Sequence, residues 1–580
     1  TLFPYTTLFR SSYMIPAVAL LFTASVTSCM SDLDDGNIDP NAQSQVDITA
    51  LYSKCYACLI LEGNDGNPDF TSNDAGKTTL IRNIYNANVL STDEAICWWT
   101  DGGLEDYGVN QPTPGSDAIR FLYYRLIMDV SYCNHYLELS EAQADPVKLA
   151  EVRFIRAYLY YQLLDLFGDP AFIPVVSADA PKQAHAYNEK FDESASYTRA
   201  ELLAMGREFL FGWVKNELEV AEQNLMDAQP KTDTDANYGR VDKAAAWLLL
   251  SRLYLNAGTY LNDDGQNNPH WDKALEYAEK VIKSGYSLFD DSKMSSAAKQ
   301  NGYKPYDLLF MGDNGSNGSS CEAIFPLLQD GKITKAWGGS LFWIAAMWNP
   351  EMATVTDLGP GTTANNWSGM RARPQLIEKF TNNPNSFVGK TAMEIRAMGI
   401  DDRAIFWGKD HTLSVLPNNS EGFYHGLTTP KWNNNYSNGG TPHDTYDVDT
   451  DFFLFRVAEA YLNAAEADMH LNGENSAKAK GYMDAIRTRA HAGTLQMYSL
   501  DDVLDERARE FYFEIIRRPD LIRYNRFGGL NVAYGWEGKG GNEDYTGAPF
   551  DKTRNVYPIP SSEIMANKNL TQIDGYNEME

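Results

Sequence analysis

Three short stretches place reactive residue types at spacings that resemble chemical motifs, and each stops short. Ala75-Gly76-Lys77-Thr78 matches the end of a phosphate-binding loop, but position 71 is Thr where that loop needs Gly, so the backbone cradle is incomplete. Asp447-Val448-Asp449-Thr450-Asp451 opens like a helix–loop–helix calcium loop, yet Phe452 and Ala458 stand where that loop needs Gly and Glu. Cys55 and Cys58 are spaced like metal ligands but lack the second Cys pair of a zinc site, and they read as one face of a helix. There is no His-Glu-x-x-His and no Gly-x-Ser-x-Gly. The 78 acidic residues leave room for a glycosidase carboxylate pair, but no spacing singles one out.

The composition limits the kind of partner. Lys+Arg is 49 and Asp+Glu 78, a net charge of 49 − 78 = −29, which argues against nucleic acid and anionic lipid as partners. The hydrophobic fraction of 43% and charged fraction of 22% are those of an ordinary globular chain with ample core. Length alone allows about four domains. Six Cys are too few for a disulfide scaffold of this size. Aromatics are plentiful, with Tyr 34, Phe 26 and Trp 12. A chain this acidic and aromatic suits a neutral ligand with flat apolar faces.

The elements that must position such residues are mostly helices. Four stripes show 3.6-residue periodicity: Val152, Ile155, Leu159, Leu163; Ala244, Leu248, Ser251, Leu255; Phe453, Val457, Tyr461, Ala464; and Leu504, Ala508, Phe511, Ile515. The first stops at Phe167-Gly168-Asp169-Pro170, a helix-ending signal. Short connections predict the antiparallel pairs 118–139 with 147–167, 199–228 with 242–257, and 453–470 with 475–491. Ala157, Ala245, Ala460, Ala464 and Ala465 allow close helix approach. The expected fold class is therefore mainly α, a tetratricopeptide-like helical-repeat scaffold over 118–285 and 449–530. Residues 60–117 and 286–448 have another texture, rich in Gly, Asn, Pro and Trp, as in Cys97-Trp98-Trp99-Thr100-Asp101-Gly102-Gly103 and Asn365-Asn366-Trp367. They read as an irregular, loop-rich ligand-binding lobe, the kind of segment that most often carries function.

At the N-terminus, Met14 to Val26 is an apolar run too short to span a bilayer and suited to a signal-peptide core. Val26-Thr27-Ser28-Cys29 resembles a bacterial lipobox, in which Cys29 is lipidated and becomes the first mature residue. The alternative is an ordinary secretory peptide with an incidental Cys. The expected organisation is a signal peptide over 1–28, a lipidated tether over 29–45 and one domain over 46–580. Residues 1–13 lack the Lys-rich start of a signal peptide and are expected to be foreign to the natural chain. The acidic run Ser31-Asp32-Leu33-Asp34-Asp35 resembles the surface-export signal of Bacteroidetes lipoproteins.

A more specific resemblance lies in the helices. Glu151-Val152-Arg153-Phe154-Ile155-Arg156-Ala157-Tyr158 running to Pro170, Gly239-Arg240-Val241-Asp242 running to Leu255, Phe455-Arg456-Val457-Ala458-Glu459-Ala460-Tyr461-Leu462-Asn463, Glu506-Arg507-Ala508-Arg509-Glu510 running to Arg523, and Tyr557-Pro558-Ile559-Pro560 appear in the order of the SusD/RagB family. These are Bacteroidetes outer-membrane glycan-binding lipoproteins. The resemblance implies the same helical scaffold, no catalysis, no required cofactor, and a lipid-anchored, surface-exposed place on the outer membrane. It also implies a partner, a SusC-like TonB-dependent transporter.

The ligand-site segments resemble those of the family's founding starch-binding member. Ile81-Arg82-Asn83 leading to Trp98-Trp99, Gln329-Asp330-Gly331 leading to Trp337, and Asn366-Trp367-Ser368 before Arg371-Ala372-Arg373 carry this likeness. It implies an aromatic arc of Trp99, Trp337 and Trp367 against a starch or maltooligosaccharide chain, with Arg82, Trp98 and Asp101 beside it. The founder has Tyr at the place of Trp337 and a polar amide at the place of Gly102; Asp101 is the candidate to replace the lost hydrogen bond. An indole under the C–H face of glucose removes apolar area from water at roughly 25 cal/mol per Å2. A guanidinium offers fixed donors to the hydroxyl rim. Taken singly, each Trp is as well explained by core packing, and Trp343 and Trp348 in their apolar run read as core. Asp313, Asp449 and Asp451 are the expected ligands of a structural Ca2+, with solvated acidic loops as the alternative. Rival readings are a receptor for another glycan (a host mucin glycan or other plant polysaccharide), a glycoside hydrolase, and a helical adaptor without a ligand.

Overall fold

The computed structural model describes residues 46–63, 68–175, 180–348, 365–416 and 422–576, except positions 71 and 73, together with Met352 and Leu358. The signal peptide, Cys29 and the tether lie outside the described residues. Contacts divide the chain into two units, Thr1–Leu51 and Tyr52–Glu580. Of the first, residues 46–51 are described and enter the helix Ile48–Ala57. The scaffold and the loop-rich segments both belong to the second, so about four separate domains do not form.

The fold is mainly α and tetratricopeptide-like, as the periodicity predicts. The Pro146–Phe167 helix packs between Asp117–Glu138 and Arg199–Glu222. The stack continues through Lys243–Leu255, Trp271–Ile282, Val457–Asn472 and Ala477–Arg489, each against the next. All three expected helix pairs are in contact. The five alanines expected at close approaches are fully buried. Pro146–Phe167 starts with Asp145 accepting the Lys148 N–H at 3.1 Å and Pro146 at the first helical position. It ends at Gly168 (φ +70°), where a Cβ would lie 2.5 Å from Leu203. From Phe154 to Phe167 it is buried on every side, where the expected stripe covered one face, because helices flank it on both sides.

Residues of the family motifs, with buried charged residues outside them, tie these helices together. Arg252 grips Glu459 in a two-pronged pair at 2.7 and 2.6 Å, joining Lys243–Leu255 to Val457–Asn472. Arg523 holds Glu466 at 2.6 and 2.9 Å. Arg456 reaches Glu322, Glu510 and Glu514, Arg489 reaches Glu322 and Glu510, and Arg403 reaches Asp401, Glu506 and Glu510. All these groups are buried. A charge in that interior needs a close, geometrically matched partner, and these pairs supply one to each group.

The loop-rich segments are held by short two-stranded ribbons. Ala323–Leu327 pairs antiparallel with Phe452–Arg456, fastening one such segment to the start of Val457–Asn472. Ala95–Cys97 pairs antiparallel with Met370–Ala372 in the register Ala95↔Ala372, Cys97↔Met370. Arg373 donates from Nε to Ala95 O at 3.0 Å and from Nη2 to Gly108 O at 2.8 Å, locking that ribbon. Arg517 anchors the preceding segment through Asp93 at 2.8 and 2.7 Å.

Candidate functional site

The 95–97/370–372 ribbon brings two distant tryptophans together. The Trp98 N–H donates to Gly369 O at 2.9 Å, which sets Trp99 beside the segment leaving Trp367. Their ring centroids are 6.5 Å apart with planes at 58°. The chain turns sharply after Trp367, with Ser368 at φ +54° and Gly369 at φ +106°. A Cβ at Gly369 would sit 2.3 Å from Trp99 Nε1, so glycine is required by backbone conformation and by the ring against it.

The helix Ser340–Met347 supplies the platform. The Trp367 N–H donates to Ala345 O at 2.8 Å, and Trp337 lies three residues before the helix begins. Trp337 and Trp367 centroids are 6.3 Å apart at 32°. Phe342, on the same helix, meets Trp99 edge-on at 5.9 Å and lies under the Arg82 guanidinium at 4.5 Å. The 75–78 turn passes so close that a Cβ on Gly76 would meet Arg82 Nη1 at 2.8 Å and Trp337 Cβ at 3.0 Å.

Trp99, Trp337, Trp367, Arg82, Asp101 and Asp74 thus line one open cleft of about 400 Å3. Trp337 is 44% exposed, and Trp99 and Trp367 are half-buried. Burial lowers the Arg82 guanidinium from its ordinary value, against Asp74 and Asp101, which raise it. Arg82 Nη1 stands 3.6 Å from Asp74 Oδ2, and Lys77 pairs with Asp101 at 2.7 Å. Glu62, pushed above the usual carboxylate range by burial, accepts the Trp337 N–H at 3.2 Å. The result is three differently inclined indole faces beside charged hydrogen-bonding groups: a surface for a curved ligand with apolar faces and a polar rim.

Trp98 is not brought into this cleft. Neighbouring residues on extended chain face opposite ways, and Trp98 turns to donate from Nε1 to His425 O at 3.0 Å. Trp343 is core, stacked on Phe452 at 4.6 Å, as its apolar run indicates. Trp348 accepts the Ser368 N–H at 3.1 Å and so supports the turn after Trp367. Asp74, Lys77 and Phe342 complete the site without having been singled out for it. Lys77 stands out in sequence only as part of the broken phosphate loop, and Phe342 is one apolar residue in a run of apolar residues.

Asp313, Asp449 and Asp451, the aspartates of the calcium expectation, are all buried. Asp313 Oδ2 accepts from Ser437 N and Oγ at 2.9 and 2.7 Å. Asp449 Oδ2 accepts from Tyr436 Oη at 2.8 Å and from His443 N at 2.9 Å. Asp451 accepts from Gln329 N and Tyr238 Oη at 2.8 and 2.7 Å. Each of these carboxylates accepts from N–H or O–H donors in this arrangement. Cys55 and Cys58 are both buried, with the Cys58 thiol on Cys55 O at 3.2 Å.

Fold and site together define a tetratricopeptide-like helical protein with an open tryptophan cleft among its loops. The family model described as the SusD family matches residues 396–576. The starch-binding protein SusD of Bacteroides thetaiotaomicron is 34% identical, covering 97% of this chain and 98% of that protein. The chain belongs to the SusD family. SusD-like protein P25 of Formosa agariphila is 24% identical over 96% of this chain and 98% of its own length. Among solved structures, a SusD superfamily protein of Parabacteroides distasonis superposes with a TM-score of 0.59 at 19% identity, covering 91% of this chain and 98% of its own. A structure described as containing xylogluco-oligosaccharide superposes with a TM-score of 0.59 at 16% identity, covering 90% of this chain and 97% of its own. No helix among the described residues is long and apolar enough to cross a membrane.

Proposed function

We propose that this chain is a non-catalytic, cell-surface receptor that binds starch and maltooligosaccharides on the Trp99–Trp367–Trp337 face. The observation that carries the reading is the cleft itself: three partly open indoles at 6.3–6.5 Å spacing, inclined to one another and edged by Arg82 and Asp101. Inclined faces follow a ligand that is already curved in solution, so little ordering entropy is lost on binding. The 34% identity to a protein named for starch binding supports the same ligand. The cleft carboxylates, Asp74 and Asp101, are engaged by Arg82 and Lys77, which favours binding over hydrolysis. Delivery to a SusC-like TonB-dependent transporter, and anchoring in the outer membrane through Cys29, rest on the family resemblance and the lipobox.

Isothermal titration with maltoheptaose and α-cyclodextrin tests the ligand. Heat from both is expected, with no reducing sugar released from amylopectin. A second reading, a receptor for another glucan, draws on the neighbour described with xylogluco-oligosaccharide. Heat with that oligosaccharide and none with maltoheptaose decides for it.

A further inference from the structure

Trp337 stands on a stretch of chain that does little to fix it. The turn before it closes on itself, with Asp330 Oδ1 accepting from the N–H groups of Lys332, Ile333 and Thr334 at 2.9, 2.8 and 2.9 Å. Two glycines, Gly338 and Gly339, come directly after it. Its own ring is too open for core packing to set its place. The backbone is gripped instead by the buried Glu62: Oε1 accepts the Trp337 N–H at 3.2 Å, and Oε2 accepts from the Thr79 hydroxyl at 3.4 Å. Thr79 immediately precedes the helix Leu80–Tyr85, which carries Arg82. The two segments run so close that a Cβ on Gly338 would lie 2.3 Å from Thr79 Oγ1.

Glu62 is fixed in turn from the helical scaffold. Arg125, buried on the Asp117–Glu138 helix, donates to the carbonyls of Cys58, Leu61 and Glu62 at 3.0, 2.9 and 3.1 Å. Its charge is met by Asp69 at 2.9 Å and Asp129 at 3.1 Å. Every donor of the guanidinium fork is thus used, which holds the 58–62 turn rigid. A carboxylate taken out of water needs donors of its own, and the Trp337 N–H is one of them.

Resting on the glucan reading of the cleft, we propose that Glu62 is a positioning residue for glycan binding: it acts on the ligand only through Trp337, by holding that indole at its angle to Trp367. A scaffold helix then sets the shape of the stacking face through Arg125 and Glu62.

The test is a double-mutant cycle in the full chain, read by maltoheptaose titration. Glu62→Met fills the same space without an acceptor, and Arg125 keeps Asp69 and Asp129, so no charge is stranded. It should raise the Kd about tenfold in the native background and less than about twofold in Trp337→Ala, because the ring it serves is gone there. Glu62→Gln keeps an oxygen for the Trp337 N–H and should stay within about twofold of native. With fluorotryptophan incorporated, the fluorine resonance missing from Trp337→Ala should shift in Glu62→Met without any sugar present, and stay in place in Glu62→Gln. A thermal melt checks folding; should Glu62→Met fail it, Gly338→Ala, which pushes the same backbone off Thr79, takes its place in the cycle. An unchanged Kd, or an equal loss in both backgrounds, overturns the positioning role and leaves the cleft reading standing. No heat from the native chain overturns the cleft reading, and an unmoved Trp337 resonance then overturns the positioning role as well.

Discussion

Trp337→Ala is the most direct test of stacking, because the ring is 44% exposed and its removal opens no core cavity. An indole offers roughly 200 Å2, so somewhat under half, about 90 Å2, is free to meet a sugar face. At roughly 25 cal/mol per Å2 this is worth about 2 kcal/mol, within the roughly 1–3 kcal/mol lost when aromatics that stack on flat ring ligands are replaced by alanine. The expected result is an approximately thirtyfold rise in the maltoheptaose Kd, since about 1.4 kcal/mol is tenfold. Titration calorimetry reads the affinity, and a thermal melt checks that the fold is kept. An affinity within twofold of the native value, with an unchanged melt, would refute the stacking argument and remove Trp337 from the site.

Gly369→Ala should weaken maltoheptaose binding without touching the ligand, because the new methyl displaces Trp99; near-ultraviolet dichroism should report the moved indole, and unchanged affinity would count against the ring's role. Trp367→Ala should cost about 1–3 kcal/mol of affinity with the fold retained, checked in the same titration. Arg252→Ala strands the buried Glu459 carboxylate and should destabilise the chain by roughly 3–5 kcal/mol in urea unfolding, far more than the loss of an exposed pair. Stability should also fall in acid. Burial pushes the Glu510 carboxyl up, but Arg489, Arg456 and Arg403 overcome it and hold it at about 2, below its ordinary 4.5. The folded state then binds fewer protons than the unfolded one, so stability is lost as pH drops from about 4.5 towards 2. Glu510→Gln should make thermal midpoints less steeply pH-dependent across that window.

The helices were legible because their apolar spacing and stop signals are local. Pro146 and Gly168 bracket one helix in sequence as they do in space. The Arg- and Glu-rich motifs could be read as a family signature, but their role needed partners far along the chain, as Arg252 meets Glu459 across two helices. The facing of each tryptophan was a tertiary decision. Trp98 and Trp99 are neighbours of one type, and only the pairing of Ala95–Cys97 with Met370–Ala372 sends one to His425 and the other to the cleft. Asp313 lies more than a hundred residues before Asp449 and Asp451, and only the fold decides that all three accept from hydroxyl and amide donors. Local pattern therefore determined what each segment is, because backbone propensity and burial act over a few residues. Which rings face outward together was decided by hydrogen-bond register and packing between segments hundreds of residues apart, and no local pattern encodes that.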